Sequence, residues 1–264
     1  MIPRNDIRKY GQPPYEICLV HGGPGASGEM EPVAQALSYS GGTLEPFQNA
    51  DSLRGQLDEL KQQIGMNGDP PVVLIGFSYG AWLSFLFAAQ YPDLVKKLIL
   101  ISSGPFDKIY APGIQKTRMG RFSLDERKEL EQLVTRLQTS DIARQNDFFR
   151  HIGAMVERAD AFDPDFTDKR EIKVRYEIYR KVWPEADELR KSGELLGKAS
   201  QIQCPVVAIH GDYDPHPWKG VRDPLSGIVR EFRFILLDNC GHKPWIEKQA
   251  RERFYEILKE EINR

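Results

Sequence analysis

Cysteine is scarce in this chain, with 3 in 264 residues. Cys18, Cys204 and Cys240 lie far apart, form no Cys-x-x-Cys pair and leave one over under any pairing, so a disulfide framework is excluded and reduced thiols are expected. Long hydrophobic runs are also missing. No stretch approaches the roughly 18 uninterrupted apolar residues of a spanning helix, and Met1 to Tyr10 is polar and charged rather than a secretion signal. The expected compartment is the cytoplasm, with no membrane partner. Nor does charge of one sign accumulate: 36 Lys+Arg against 38 Asp+Glu leave a net −2, too little to gather nucleic acid. His-Glu-x-x-His and clustered Cys/His spacings are absent, so neither a metal nor another cofactor is expected, and the partner is a small-molecule substrate.

An apolar content of 41% supports one large domain or two small ones. Near-continuous apolar runs at Tyr15–Val20, Val72–Ile75, Leu98–Ile101, Val206–His210 and Phe232–Leu237 read as strands buried on both faces, and Thr43–Leu44 as a weak sixth. Helical patterns separate them, at Glu29–Ser38, Leu53–Ile64, Ala81–Gln90, Pro217–Val229 and Trp245–Glu261. That alternation predicts a parallel sheet covered by helices. Between Gly104 and Gln203 the strand pattern stops and charged amphipathic helices take over. Ser123 and Glu126 have the spacing of a capping box for a helix through Leu137, and a second helix is expected from Lys169 to Val182, before Pro184. The expected organisation is an α/β core of residues 1–104 and 204–264 with a helical cap of residues 105–203 over the carboxyl ends of the strands.

Gly76-Phe77-Ser78-Tyr79-Gly80 follows one apolar run and opens a helical one. This is the strand–turn–helix context of a Gly-x-Ser-x-Gly elbow, where flanking glycines let strand and helix approach while the serine stands exposed at the helix start. A serine hydroxyl needs a base, and a base needs an orienting carboxylate. His242, in Cys240-Gly241-His242, follows the last strand run; Asp212 and Asp214 follow the preceding one, and Asp107 is a distant third candidate acid. Each lies just past the carboxyl end of a strand, so distant loops can converge on one sheet edge. His21-Gly22-Gly23-Pro24-Gly25 follows the first run and can offer backbone N–H groups to an oxyanion; Gly23, with the N–H of Tyr79, is the expected pair. The other histidines have plainer readings: His21 braces its loop, His210 ends a strand, and His151 and His216 are solvated, with contact to the substrate as the alternative. Cys240 is a packing residue, and Phe148, Phe149, Tyr176, Tyr179 and Trp183 form the cap's own core.

These residues resemble the α/β-hydrolase superfamily from about Tyr15 to the end of the chain, with an oxyanion loop similar to that of the proline iminopeptidase branch. The resemblance implies Ser78 as nucleophile, His242 as base and Asp214 as its acid, because the family acid stands three residues after the glycine of its loop. Two further antiparallel strands usually precede the family's first buried run. Here only a short polar segment does, so a mostly parallel sheet of about six strands lacking those two is expected, with the Thr43 segment at or close to an open edge. The elbow Gly-Phe-Ser-Tyr-Gly departs from the iminopeptidase Gly-Gly-Ser-Trp-Gly. The expected activity is hydrolysis of a small ester, amide or related acyl bond. An aminopeptidase, a carbon–carbon bond hydrolase or lyase, and a non-catalytic ligand receptor remain alternatives.

Overall fold

A computed structural model describes residues 7–39, 41–166 and 172–264. Its strands are β1 (Ile7–Tyr10), β2 (Tyr15–Val20), β3 (Ala26–Ser27), β4 (Gly42–Pro46), β5 (Val72–Phe77), β6 (Val95–Ile101), β7 (Lys173–Val174), β8 (Val206–Gly211) and β9 (Phe232–Leu237). Its helices are α1 (Glu31–Leu37), α2 (Leu53–Asn67), α3 (Tyr79–Gln90), α4 (Pro112–Arg121), α5 (Leu124–Thr139), α6 (Ile142–Asp160), α7 (Tyr176–Ser192), α8 (Glu194–Gly197), α9 (Lys219–Ser226) and α10 (Arg251–Asn263).

Among the described residues the main sheet has seven strands in the order β1-β4-β2-β5-β6-β8-β9. All its pairings are parallel except β1 with β4. Period-two alternation sends successive side chains of β5 to opposite layers. Val72 and Leu74 join Leu57, Leu60, Trp82, Phe85 and Leu225 under α2, α3 and α9, while Val73, Ile75 and Phe77 join Val33, Leu37, Phe254 and Leu258 under α1 and α10. Helices on both faces leave β5 and β8 wholly buried, which is why their runs contain no charged residue.

The fold departs from the sequence expectation at three elements. Ile7–Tyr10 is a strand, so the sheet has one antiparallel strand beyond the expected six, outside the Thr43 segment. Its polar sequence suits an edge, where Arg8 pairs with Glu31 at 2.6 Å and Tyr10 O–H donates to Glu45 at 2.8 Å. β9 is the opposite edge rather than a strand buried on both faces, and Leu236 is 37% exposed. Finally, α7 does not stop before Pro184 but runs through it to Ser192. An interior proline costs about 3 kcal/mol, and burial of Ile178, Val182 and Ala186 on either side offsets it. The start expected at Lys169 falls partly outside the described residues.

Helices α4 to α8 stand between β6 and β8 in the chain. The capping box at Ser123 and Glu126 is formed, and Phe122, Leu133, Met155 and Ala159 make a small separate core. The region also carries β7, which pairs antiparallel with β3 just after the glycine loop. No helix of the described residues is long and apolar enough to cross a membrane.

Candidate active site

Ser78 sits between β5 and α3 with φ 53° and ψ −116°, a left-handed conformation that a non-glycine residue adopts only when its surroundings impose it. The surroundings are crowded backbone. A Cβ at position 76 would lie 2.3 Å from the Gly80 carbonyl oxygen, and one at position 80 would lie 2.3 Å from the carbonyls of Val20 and His21. Glycine at both flanks is therefore a packing requirement, and it lifts Ser78 Oγ clear of the strand.

His242 approaches from the loop after β9, and Asp214 from the loop after β8. Ser78 Oγ lies 3.0 Å from His242 Nε2, and His242 Nδ1 lies 2.7 Å from Asp214 Oδ2. With the proton on Nδ1 and donated to the carboxylate, Nε2 is left to accept from the serine O–H. The elements holding His242 come from both parts of the chain. His242 N–H donates to the Asp160 carbonyl at the end of α6 at 3.0 Å, and Phe77 packs against the ring at 4.9 Å. Glu247 is fully buried and accepts from Gly241 N–H on one side and from Phe162 and Asp163 N–H on the other.

Of the candidate acids, Asp214 alone reaches His242. Asp212 is exposed and accepts from the Cys240 N–H at 3.1 Å, while Asp107 caps a short helix through the Ile109 N–H. Burial opposes ionisation of Asp214, yet His242, His216 and His210 around it hold its carboxyl well below the usual carboxylate range.

His216 is not the solvated residue expected. Its backbone N–H and its Nδ1 both lie 2.8 Å from Asp214 Oδ1, and its ring stacks on His242 at 4.3 Å. Burial pushes it down to about 4, so it is neutral at physiological pH. The local signal is the Asp-x-His spacing, which turns the N–H of the second residue after an aspartate back onto its side chain. His151 is exposed beside Glu129, and His210 is the last residue but one of β8 and donates through Nε2 to the His216 carbonyl. His21 braces the glycine loop: its Nδ1 faces the Gly22 carbonyl at 2.8 Å, and Gln48 donates to its carbonyl at 2.7 Å.

The ligand atoms of Asp214, His216 and His242 lie within 4.8 Å of one another, a spacing that suits a metal ion. Here the carboxylate oxygens face the two histidines, and His242 Nε2 faces Ser78. That arrangement matches proton transfer at the serine.

A cavity of about 700 Å³ opens over Ser78 and His242, and Gly23 and Tyr79 border it. Phe149, Tyr179 and Trp183, expected in the core of the helical region, pack in a row through Tyr179 and also face this cavity. Trp183 stacks between Trp82 and Tyr179 at 5.8 and 5.9 Å, so the aromatic row that holds α7 against α3 is also the cavity wall.

A model of the alpha/beta hydrolase fold family matches residues 48–249, and the chain belongs to this family. Two curated relatives are pimeloyl-[acyl-carrier protein] methyl ester esterases. The one from Nitrosomonas europaea is 20% identical over 239 residues, covering 88% of this chain and 90% of the relative. The one from Nitrosospira multiformis is 22% identical over 216 residues, covering 79% and 74%. Among solved structures, VinJ superposes with a TM-score of 0.70 at 18% identity, covering 99% of this chain and 97% of its own. A meta-cleavage product hydrolase from Pseudomonas fluorescens gives 0.64 at 16%, covering 97% and 93%.

Proposed function

We propose that this protein is a serine hydrolase that cleaves a small carboxylic ester or related acyl bond through an acyl-enzyme on Ser78, with His242 as base and Asp214 as the acid that orients it. The observation that carries the reading is the unbroken series Ser78–His242–Asp214, at 3.0 and 2.7 Å, opening on a cavity of about 700 Å³. Such a volume lies within the roughly 300–1,000 Å³ usual for small-molecule sites. Both curated relatives are ester-cleaving by name, which supports an ester over a peptide.

In this reading Ser78 Oγ attacks the substrate carbonyl while its proton passes to His242 Nε2, and ionised Asp214 stabilises the imidazolium through Nδ1. The backbone N–H groups of Gly23 and Tyr79 receive the oxyanion. Collapse of the tetrahedral intermediate breaks the ester bond, and His242 returns the proton to the departing alcohol oxygen. Water, deprotonated by the same nitrogen, then releases the acid from Ser78. Residues 105–203 serve as a cap that limits water around the acyl-enzyme.

The test is fluorophosphonate labelling combined with turnover of p-nitrophenyl esters. Labelling maps to Ser78, and Ser78→Ala lowers turnover by about a million-fold while leaving the melting transition in place. A folded protein that resists the probe favours a ligand receptor on the same fold, and a variant retaining a tenth of the activity removes Ser78 as nucleophile.

A further inference from the structure

Arg190 is a nearly buried cation of the cavity wall with one donor left unfilled. On α7 it shares a stripe with Tyr179, Trp183 and Asp187, at the three- and four-residue spacing that aligns side chains on one helix face, and all four border the cavity. Over about 16 Å of helix the stripe changes from aromatic to charged.

Two other cations of the wall are well matched. Arg118 grips Asp160 through Nε and Nη2, and Lys243 Nζ lies 2.9 Å from Glu29 and 2.6 Å from Glu157. Arg190 differs. It is 8% exposed, its Nη2 donates to Asp187 Oδ1, and its Nε is buried with no hydrogen-bond partner. Asp187 is moreover shared, since Lys191 Nζ lies 2.6 Å from its other oxygen. Two cations on one carboxylate leave a surplus positive charge. The Arg190 guanidinium also lies 5.5 Å from the centre of the Trp82 ring, a low-dielectric setting in which an unfilled donor is costly and an acceptor is held strongly. Trp82 stands one turn of α3 beyond Ser78, about 6 Å along the helix, so Arg190 is placed for a part of the substrate away from the reacting carbonyl.

We propose that Arg190 is a specificity-determining residue: it receives an oxygen acceptor at the far end of the substrate's acyl chain, a carboxylate in preference to a neutral carbonyl. The chain's methylenes lie against Trp82 and Trp183. This inference rests on Ser78 being the nucleophile.

The experiment compares p-nitrophenyl esters of one chain length that end in methyl, methyl ketone or carboxylate. For the wild-type protein kcat/KM is expected to be at least about ten-fold higher for the carboxylate than for the methyl-terminated ester, the scale of one charge-assisted hydrogen bond, with the ketone between them. Most of the gain falls in KM. Arg190→Met brings the ratio to about one, and Arg190→Lys retains part of the carboxylate advantage. The ratio cancels losses common to all three esters. A wild-type ratio near one, or a ratio unchanged in Arg190→Met, overturns the proposal. Should Arg190→Met fail to fold, competitive inhibition of the wild-type protein by a dicarboxylate against the monocarboxylate of the same length decides: equal inhibition overturns it, and about ten-fold stronger inhibition by the dicarboxylate supports it. Fluorophosphonate labelling of Ser78 in the same preparation separates the two readings, because labelled protein without acceptor preference rejects only the role of Arg190.

Discussion

Asp214 offers two oxygens to three histidines, and the geometry divides them. Oδ2 takes the ring of His242 at 2.7 Å, with His210 Nε2 at 3.3 Å, while Oδ1 takes the backbone and ring of His216. The carboxylate is thus held by His216 on one side and meets the His242 ring on the other. Removing its charge while keeping its shape lets His242 adopt the wrong tautomer, so Asp214→Asn is expected to lower kcat by about four orders of magnitude. Asp212→Asn keeps an acceptor for the Cys240 N–H and touches no ring, so its loss should stay within about ten-fold. Steady-state ester hydrolysis by the two variants checks this, and a reversed order would make Asp212 the acid. The choice between these acids came from the family resemblance. Burial separates them physically, and burial is a property of the folded loops rather than of the Asp-Tyr-Asp sequence.

At the scale of elements, β5 and β8 were legible because both faces are buried and every residue except His210 of β8 is apolar or small. β1, β3 and β7 were not. Each is short, and its pairing is set by a partner distant in sequence: β4 for β1, and β3 for β7. Pro184 misled for the same reason, since local preference ends the helix there while the buried stripe carries it on. Edge strand β1 also creates a testable electrostatic feature. Glu45 on β4 is buried beneath it, and burial pushes its carboxyl up to about 7, although Tyr10 and Arg8 favour the ionised form and Glu31 opposes it. Its value in the unfolded chain is near the ordinary 4.5, so the native state holds the proton more tightly. The stability this contributes is fully present below that value and is lost as pH rises through about 7. Glu45→Gln should therefore gain melting temperature relative to wild type on moving from about pH 5 to about pH 8. Burial pushes His21 and His216 down to about 4, which gives the opposite slope, but both residues are present in either protein and cancel in the comparison. A difference that does not vary with pH would show that Glu45 is ionised throughout.

Across the whole molecule, the cavity lies between the sheet's carboxyl edge and helices α4, α6 and α7, and its charges come from both sides. This arrangement bears on the choice between an ester and a peptide N-terminus. A substrate ammonium leaving water needs a carboxylate that is free to pair with it, because an isolated buried charge costs several kcal/mol, about 3–5 when a partner is missing. The acids on the wall are already engaged: Asp160 by Arg118, Asp187 by Arg190 and Lys191, and Glu29 and Glu157 by Lys243. Glu29 further accepts the Gly22 N–H at 3.1 Å, so the second carboxylate on Lys243 is held to the glycine loop. Burial works against the charge on Lys243, but the two glutamates outweigh it and push the amine above its ordinary range, which keeps this cation in place at neutral pH. Recruiting Glu157 for a substrate ammonium would cost the protein its own ion pair. Short p-nitrophenyl esters should accordingly be turned over faster than prolyl-arylamides by at least about ten-fold on one preparation, as kcat/KM. If the prolyl-arylamide is the faster substrate and Glu157→Gln abolishes that turnover while sparing the ester, the cavity is built for an N-terminal amine and the protein is an aminopeptidase.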